Sequence, residues 1–443
     1  MTEDIASDVW LGDYPQDWKK TRIKRVCRFA PSFSNGKPGP EDKCTVVPME
    51  AVSEHGEVSV GVQEPYGDII AGLNLFENGD VLFAKITPCM ENGKGAFVEH
   101  LTTPYAFGST EFHVLRPDHK VDGRFLYYVT FNPTFRAWAE KNMHGAAGQQ
   151  RVSARFLKYT RLPLPPHEEQ KRIASYLDAS CMAIDRAVET KQKQLEILDT
   201  FRKSIIQKAV TQGINPNVEL KDSGVGWLGQ IPRHWQCESL KRNANRIQTG
   251  TTPPTSTPEY FEEGTIPWFA PECFGKTTKL GEPKKMINEL ALQDNKLRIF
   301  PSGTVFFVGI GATIGKVAIL NEAGSANQQI VGIECSHRML GQFLAYQLKN
   351  YEGIIPRIAQ FTTLPILNQT KVGYLPVLRP PISEQYEICA YVDRKEVELS
   401  KIEGVLLAQI TTLTNYRKSL IHECVTGKRR ITEADLAKVG ADV

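Results

Sequence analysis

Hydrophobic residues follow a helical pattern over two long segments of the chain, residues 167–211 and 382–426. In the first segment, which contains neither proline nor glycine, apolar positions are mostly separated by alternating steps of four and three. These positions are Leu177, Cys181, Ile184, Val188, Leu195, Leu198, Ile205 and Ala209. The second segment has a similar stripe of Val392, Leu399, Leu406, Ile410, Leu413 and Leu420. The pattern predicts two α-helices, each roughly 60 Å long at about 1.5 Å per residue.

Helices of this length need a packing partner, because an unpartnered apolar stripe would face water. The other long helix is the obvious partner for each. Charged residues interrupt both stripes, at Lys191 and Arg202 in the first and at Glu396, Glu403 and Arg417 in the second. The sequence therefore leaves open an alternative in which each helix packs only on its own domain.

A region of mixed pattern precedes each helix. It contains short β-rich runs, such as Val81 to Ile86 and Thr304 to Ile310, between glycine and proline turns. Short helices are predicted near residues 125–141 and 340–351. Strand and helix do not alternate regularly enough for a doubly wound parallel sheet, so we expect two compact α+β domains.

The chain also repeats itself. Pro165-Pro166-x-x-Glu169-Gln170, before the first helix, recurs 215 residues later as Pro380-Pro381-x-x-Glu384-Gln385, and the register continues to the end of both helices. The motif W-L-G-x-x-P-x-x-W opens each half, at Trp10–Trp18 and Trp227–Trp235. Between these anchors the match is weak. A shared framework with different intervening sequence indicates two similar scaffolds that carry different surfaces.

Length and charge add little to this picture. At 443 residues the chain should form at least two domains, and a net charge of +3 does not identify a nucleic-acid binder. A local cluster is more informative, because ten residues without an acid contain Lys19, Lys20, Arg22, Lys24, Arg25 and Arg28. This cluster is either a nucleic-acid contact or a solvated face.

Cysteine usage and the termini indicate a cytoplasmic protein. The nine cysteines form no C-x-x-C pair and no zinc-type cluster with histidine, so we expect buried thiols in a reducing compartment. The sequence shows neither a signal peptide nor a membrane-spanning segment.

Three motifs resemble catalytic sites but fail on detail. Gly309 to Lys316 is not a phosphate loop, because Ile310 replaces a required glycine and Val317 the magnesium-binding hydroxyl, so a turn between strands is expected. Asn132-Pro133-Thr134-Phe135 departs by one residue from an amino-methyltransferase loop and is better explained as a helix start. His167-Glu168-Glu169 lacks a second histidine. We therefore predict no catalytic residue and no metal site.

Together, the W-L-G-x-x-P-x-x-W motifs, the Pro-Pro-x-x-Glu-Gln segments and the Arg-Lys-Ser and Val-Thr pairs near the helix ends resemble the specificity subunit of type I restriction-modification systems. The resemblance runs from about residue 8 to 430. One departure lies at Leu375–Gln385, which has two extra residues and puts the pose of the second domain in doubt.

The resemblance implies two target-recognition domains, each reading half of a split DNA site, joined by the long helices as an antiparallel coiled coil. It implies the following segments: a first target-recognition domain at 8–162, a helical spacer at 163–213, a linker at 214–226, a second target-recognition domain at 227–376 and a second helical spacer at 377–430. It also implies double-stranded DNA, two methyltransferase subunits and nuclease-translocase subunits as partners. S-adenosylmethionine, ATP and Mg²⁺ would bind those partners and not this chain.

Base contacts should come from polar residues in the sequence that differs between the halves, since the shared framework must serve two half-sites. The candidates are Lys85, Thr87, Asn92, Lys94, Ser109, Gln149, Gln150 and Arg151 in the first domain and Lys316, Asn327, Gln328, Thr362 and Thr363 in the second. Lys20, Arg22, Lys24 and Arg25 are expected to touch phosphate, and Lys241 and Arg242 match the last two in the second half. Any of them could instead be an ordinary loop polar group.

Two other classes of function remain open on the sequence. One is a solitary DNA methyltransferase or nuclease whose active site assembles only in space. The other is a protein scaffold without nucleic acid. Binding of S-adenosylmethionine by the chain alone would favour the first, and the absence of salt-dependent DNA binding would favour the second.

Overall fold

The computed structural model describes residues 10–441 except 60, 147, 359 and 362–364. The chain divides into two compact units. Unit 1 comprises Met1–Gln192 with Leu407–Val443, and unit 2 comprises Lys193–Leu406. Each unit therefore contains one predicted domain together with part of both long helices.

Unit 1 contains a mixed α+β domain. Its strands are β1 (Lys19–Arg22), β2 (Cys27–Phe29), β3 (Lys43–Val47), β4 (Val62–Pro65), β5 (Asn74–Phe76), β6 (Val81–Ala84), β7 (Gly95–Phe97), β8 (Ala106–Gly108), β9 (Phe112–Pro117), β10 (Met143–His144), β11 (Arg151–Val152) and β12 (Arg161–Leu164). Two four-stranded sheets have the orders β2-β9-β6-β7 and β4-β3-β8-β5. β1 pairs with β12, and β10 with β11, both antiparallel.

Short helices in this domain begin at polar caps. They are α1 (Gly123–Phe131), α2 (Pro133–Glu140) and α3 (Ala154–Tyr159). The side chains of Asp122, Asn132 and Ser153 accept hydrogen bonds from backbone N–H groups in the first turns of α1, α2 and α3. The Asn132-Pro133 segment is thus a helix start, as predicted.

The first long helix, α4, spans His167–Gln212. Unit 2 then repeats the mixed architecture. Its strands are β13 (Leu220–Asp222), β14 (Gln230–Pro232), β15 (Gln236–Ser239), β16 (Ala244–Thr249), β17 (Ile266–Phe269), β18 (Lys285–Ile287), β19 (Val305–Val308), β20 (Val317–Ile319), β21 (Ser325–Ala326), β22 (Ile330–Cys335), β23 (Gln360–Phe361), β24 (Pro365–Ile366) and β25 (Pro376–Arg379).

The strand orders of the sheets in unit 2 resemble those in unit 1. One has the order β16-β22-β19-β20 and another β18-β17-β21, while β15 pairs with β25 and β23 with β24. The helices are α5 (Glu289–Gln293), α6 (Gly341–Asn350), α7 (Ile355–Ile358) and α8 (Gln369–Gly373). Gly309 to Lys316 joins the antiparallel pair β19 and β20, which confirms the predicted turn.

The second long helix, α9, spans Ile382–Thr426, and a short α10 (Glu433–Ala441) follows it. Both predicted long helices are therefore confirmed. The segment before α9 contains β25, which pairs with β15 over four residues as β12 pairs with β1.

The long helices pack against each other within each unit. In unit 1 Asp185 of α4 contacts Arg417 of α9 at 3.0 Å, and Glu169 at the start of α4 contacts Arg430 just beyond α9 at 2.6 Å. Residue numbers thus rise along one helix as they fall along the other, so the pair is antiparallel. The same helices also share a core with the domain, which contains Leu177 and Leu420. In unit 1 each long helix therefore packs both on the other long helix and on the domain.

The parts of α4 and α9 in unit 2 also pack against each other. There Arg202 of α4 contacts Glu403 of α9 at 2.9 Å and Glu396 at 3.2 Å. Ala209 of α4 and Val392 of α9 lie in the core of this unit. Among the described residues, no helix is long and apolar enough to cross a membrane.

Candidate nucleic-acid interface

The repeated sequence motifs build the framework of each unit. The Trp18 indole donates to the Glu169 carboxylate at 3.2 Å, and the Trp235 indole donates to Glu384 at 3.1 Å. These contacts hold the start of each domain against the start of the long helix that follows it. The motif residues are thereby occupied by internal contacts, and the surfaces that differ lie elsewhere.

In unit 1 the predicted base-contact residues gather where β6 ends. The backbone N–H of Lys85 donates to the carbonyl of Glu111 at 2.9 Å, and the Lys85 carbonyl accepts from Val152 at 2.8 Å. The Thr87 hydroxyl donates to the Gln150 carbonyl at 3.2 Å. Strand end, turn and hairpin thus meet at one place.

Arg151 and Glu111 form an ion pair at this place. Arg151 Nε lies 3.0 Å from Glu111 Oε2, and Nη2 lies 2.8 Å from Oε1, so the carboxylate bridges one edge of the guanidinium. The bond to Arg151 lowers the pKa of Glu111. Arg151 keeps 42 % of its side chain exposed, so the pair lies at the surface.

His113 lies beside this pair. Burial lowers its pKa, and the charges of Lys85, Glu111 and Lys158 also act on it. The His113 ring contacts the Val152 carbonyl at 2.8 Å. Lys158 belongs to α3, so a charge of this helix lies within reach of the strand end.

Tyr159, the last residue of α3, meets the basic cluster near the amino terminus. The Lys24 ammonium lies 3.9 Å from the centre of the Tyr159 ring, and the Arg22 guanidinium lies 5.5 Å from it. The hydrogen bond with Lys24 lowers the pKa of Tyr159. Lys20 lies over the Tyr14 ring instead, and Arg25 is exposed in the same turn as Lys24.

Unit 2 repeats the lysine–tyrosine pair. The Lys241 ammonium lies 3.7 Å from the centre of the Tyr374 ring, and Tyr374 is 61 % exposed. Lys241 lowers the pKa of Tyr374 through a side-chain hydrogen bond. Arg242 is exposed next to Lys241. An exposed cation over an aromatic ring thus recurs at matching positions of two different domains.

The two units also share a backbone scaffold around Lys85 and Gly309, although the side chains there differ. The Gly309 N–H donates to the Gln329 carbonyl at 2.7 Å, as Lys85 does to Glu111. An isolated bridge joins Ile310 to Ile366, as another joins Ile86 to Arg151. Position 329 therefore corresponds to 111, and position 366 corresponds to 151.

Polar side chains cluster at this place in unit 2. Asn327 Oδ1 accepts from the Gln329 N–H at 3.1 Å, and Ser109 Oγ accepts from the Glu111 N–H at 3.2 Å in unit 1. Gln328 is exposed and accepts a hydrogen bond from the Thr252 hydroxyl. The turn before β22 is thus an amide-rich counterpart of the turn before β9.

Lys94 and Lys316 have structural contacts. The Lys94 backbone carbonyl accepts from Ala84, and the Lys316 carbonyl accepts from Val308, which places both lysines at one position of the scaffold. Lys94 Nζ donates to the Met49 carbonyl at 3.1 Å, and Lys316 Nζ donates to the Phe274 carbonyl at 3.0 Å. A lysine used identically in both units stabilises a loop and gives no reason for different bases.

The family described as the type I restriction modification DNA specificity domain matches the chain twice, at residues 15–198 and 237–412. The chain belongs to this family.

Curated specificity subunits resemble the chain to different extents. The EcoAI specificity subunit of Escherichia coli is 30 % identical over 209 residues, which cover 47 % of this chain and 35 % of that protein. The EcoEI subunit, also of E. coli, matches over 36 % of its length at 26 % identity. The chain thus spans about a third of these two relatives. The MjaIX subunit of Methanocaldococcus jannaschii is 22 % identical over 96 % of both chains.

Solved structures share the fold. One solved chain comes from a structure that describes the complex assembly and conformational transition of the type I R-M system. It aligns with a TM-score of 0.76 at 17 % identity, over 94 % of this chain and all of that chain. The HsdS subunit from Thermoanaerobacter tengcongensis aligns with a TM-score of 0.54 at 17 % identity, over 94 % and 98 %.

Asn92 is exposed in the turn that leads into β7. Gln149 is exposed in the loop before β11, where its carbonyl accepts a hydrogen bond from Arg151 Nη1 at 3.0 Å. Thr362 and Thr363 lie outside the described residues.

Among the described residues, no group of three His, Cys, Asp or Glu could hold a metal ion. The cysteines of this part of the chain are free thiols, and six of them are buried.

Some residues of the interface were missed at the level of sequence. Tyr159 and Tyr374 are 215 residues apart, the same shift as the Pro-Pro segments, so the repeat contained this signal. Glu111 and Gln329 are 218 residues apart, the shift that also aligns Phe125 with Phe343. Extending that match backwards would have found them.

Proposed function

We propose that this chain is the DNA-recognition subunit of a type I restriction-modification complex. Each unit reads one half of a bipartite site on double-stranded DNA. The chain itself performs no catalysis. Adenine methylation or cleavage is carried out by partner subunits directed to the site.

One observation carries the proposal. Two domains share a scaffold, down to the backbone hydrogen bonds at Lys85 and Gly309, yet they present different side chains at corresponding surface positions. A protein that must hold one kind of ligand twice while reading different sequence would need this combination. Each unit also places a lysine over an exposed tyrosine ring, which supplies positive charge in both units.

The partners and cofactors belong to the same proposal. Two methyltransferase subunits would use S-adenosylmethionine, and nuclease-translocase subunits would use ATP and Mg²⁺, in the cytoplasm. The names of the related proteins support this assignment, since they are specificity subunits of type I restriction enzymes.

The lysines at the repeated pairs should contact phosphate. Because Lys24 and Lys241 occupy matching positions in two domains, replacing either with alanine should weaken binding to all sequences alike. The slope of log affinity against log salt concentration should fall by about one unit for each lysine. Lys193→Ala, on an exposed part of α4, is the control. A change in the preferred base would contradict the phosphate assignment.

The test of the function itself is methylation sequencing of a host that expresses this chain with its methyltransferase partner. A single bipartite motif, absent without this chain, is the expected result. Purified alone, the chain should neither methylate DNA nor bind S-adenosylmethionine. Either activity would overturn the proposal.

A further inference from the structure

Position 151 of unit 1 and position 366 of unit 2 are one place on the shared scaffold, occupied by different chemistry. Arg151 lies on β11 and bridges to Ile86, two residues after the end of β6. Ile366 lies on β24 and bridges to Ile310, two residues after the end of β19. Arg151 carries a charge and Ile366 an apolar side chain that is 36 % exposed. The residue whose carbonyl accepts from Lys85 or Gly309 changes as well, from Glu111 to Gln329.

We infer that this position determines which base each unit accepts, and that Arg151 reads a guanine in the half-site of unit 1. The inference rests on the proposed function and deepens it. Glu111 acts as the positioning residue that orients Arg151.

The hydrogen bonds that Arg151 makes with described residues leave two of its five N–H donors open. Glu111 accepts from Nε and Nη2, and the Gln149 carbonyl accepts from Nη1 at 3.0 Å. These contacts among the described residues use three of the five N–H donors, so one N–H on each terminal nitrogen is left for a ligand. Two adjacent donors match the N7 and O6 acceptors of guanine in the major groove.

The carboxylate also argues against a phosphate contact. Glu111 is ionised in this pair, because Arg151 lowers its pKa, and it cancels much of the charge that would attract phosphate. Phosphate contacts are needed equally at both half-sites and fit the repeated lysines better. At the position of unit 2 that corresponds to Arg151 the residue is Ile366, whose apolar side chain would instead contact the methyl group of thymine.

The decisive variant installs the residue of unit 2 in unit 1. Arg151→Ile, expressed with the methyltransferase partner, should lose discrimination at one base pair of one half-site by about ten- to hundredfold. The other half-site and the spacing should be unchanged in the methylated motif. Arg151→Lys should also relax that base, since an ammonium cannot make the same paired contact.

Glu111→Gln tests the positioning role. It keeps the shape of the side chain but removes the charge, so it should relax the same base pair less than Arg151→Ile does. Its urea unfolding midpoint and its affinity for unrelated duplex DNA should stay near those of the wild type. A loss of affinity that is equal for all sequences would assign the pair to phosphate and overturn the inference.

Arg124→Ile is the matched control. Arg124 is also 42 % exposed and paired with carboxylates, Glu99 and Asp178, and unit 2 has Gln342 near the corresponding Asp393. The DNA motif methylated with the Arg124→Ile variant should be the same as that of the wild type. An unchanged motif in Arg151→Ile, with methylation intact, would overturn the inference and leave the proposed function standing. A wild-type chain without sequence-dependent methylation would overturn both.

Discussion

The side-chain amide of Gln170 is buried and joins three backbone groups. Its oxygen accepts from the Asp122 N–H at 2.8 Å, and its nitrogen donates to the carbonyls of Lys120 and Pro165. Gln385 makes the same three kinds of contact in unit 2. The repeated glutamine therefore fastens α1 or α6 to the start of a long helix.

Gln170→Ala should destabilise unit 1 by about 2–3 kcal/mol, because buried backbone groups lose their partners. Urea unfolding followed by circular dichroism measures this loss. Gln194→Ala, at an exposed position of α4, should change stability by less than about 0.5 kcal/mol. The methylated motif should be the same in both variants, and an altered motif would make Gln170 part of the reading surface.

At the scale of residues, the sequence identified the framework better than the interface. Glu169 and Gln170 could be found because they recur at a constant shift. The role of Lys94 could not be predicted, because its contact with the Met49 carbonyl joins segments far apart in the chain. For the same reason the pairing of Arg151 with Glu111 was out of reach, although Arg151 itself was proposed.

At the scale of elements, the helix pair in each unit contains a layer with one mostly buried arginine. Arg202 in unit 2 and Arg417 in unit 1 come from the repeated Arg-Lys-Ser segment, and each pairs with an acid of the other helix. These residues looked like interruptions of the apolar stripe. In the structure, charge pairing across the helices explains why they are tolerated there.

Arg202→Met should destabilise unit 2 by about 1–3 kcal/mol near pH 7.5, since Glu396 and Glu403 would lose their partner in a partly buried layer. Burial already raises the pKa of Glu396, and Arg202 opposes that rise. A raised carboxyl pKa destabilises the folded state while the group is ionised and ceases to do so once it is protonated. The stability difference should therefore shrink as the pH falls towards 5.

Chemical unfolding of the wild type and of Arg202→Met at both pH values measures this effect. The triple variant Arg202→Met, Glu396→Leu, Glu403→Met replaces the whole layer by apolar side chains. It should recover most of the lost stability and remove the pH dependence of the difference. A difference that grew on acidification would contradict the assigned cause.

At the scale of the whole molecule, the sequence predicted two α+β domains and two long helices, and the structure confirms both. Periodicity over 45 or more residues in α4 and α9 gave a strong signal. The strand order of the sheets had no such signal, because strands of two to six residues pair across long sequence distances. Hydrophobic pattern alone does not specify which of them become neighbours.

Under the proposed function, the lengths of α4 and α9 set the number of unread base pairs between the half-sites. An insertion near the end of α4 would disturb the core of unit 2, to which Ala209 and Val210 belong. The units divide α4 after Gln192 and α9 after Leu406. Both helices should be lengthened there, so that the antiparallel pair stays matched.

Inserting four residues after Gln192 and four after Leu406 adds about 6 Å to each helix. At about 3.4 Å per base pair, the gap in the methylated motif should grow by one or two base pairs, while the bases read in each half-site stay the same. Methylation sequencing measures both quantities in one experiment. A chain with only the α4 insertion is the control, and it should methylate poorly because the helices no longer match. If the double insertion still methylates with the original gap, helix length does not set the spacing, whereas the reading of bases by each unit would be unaffected by that result.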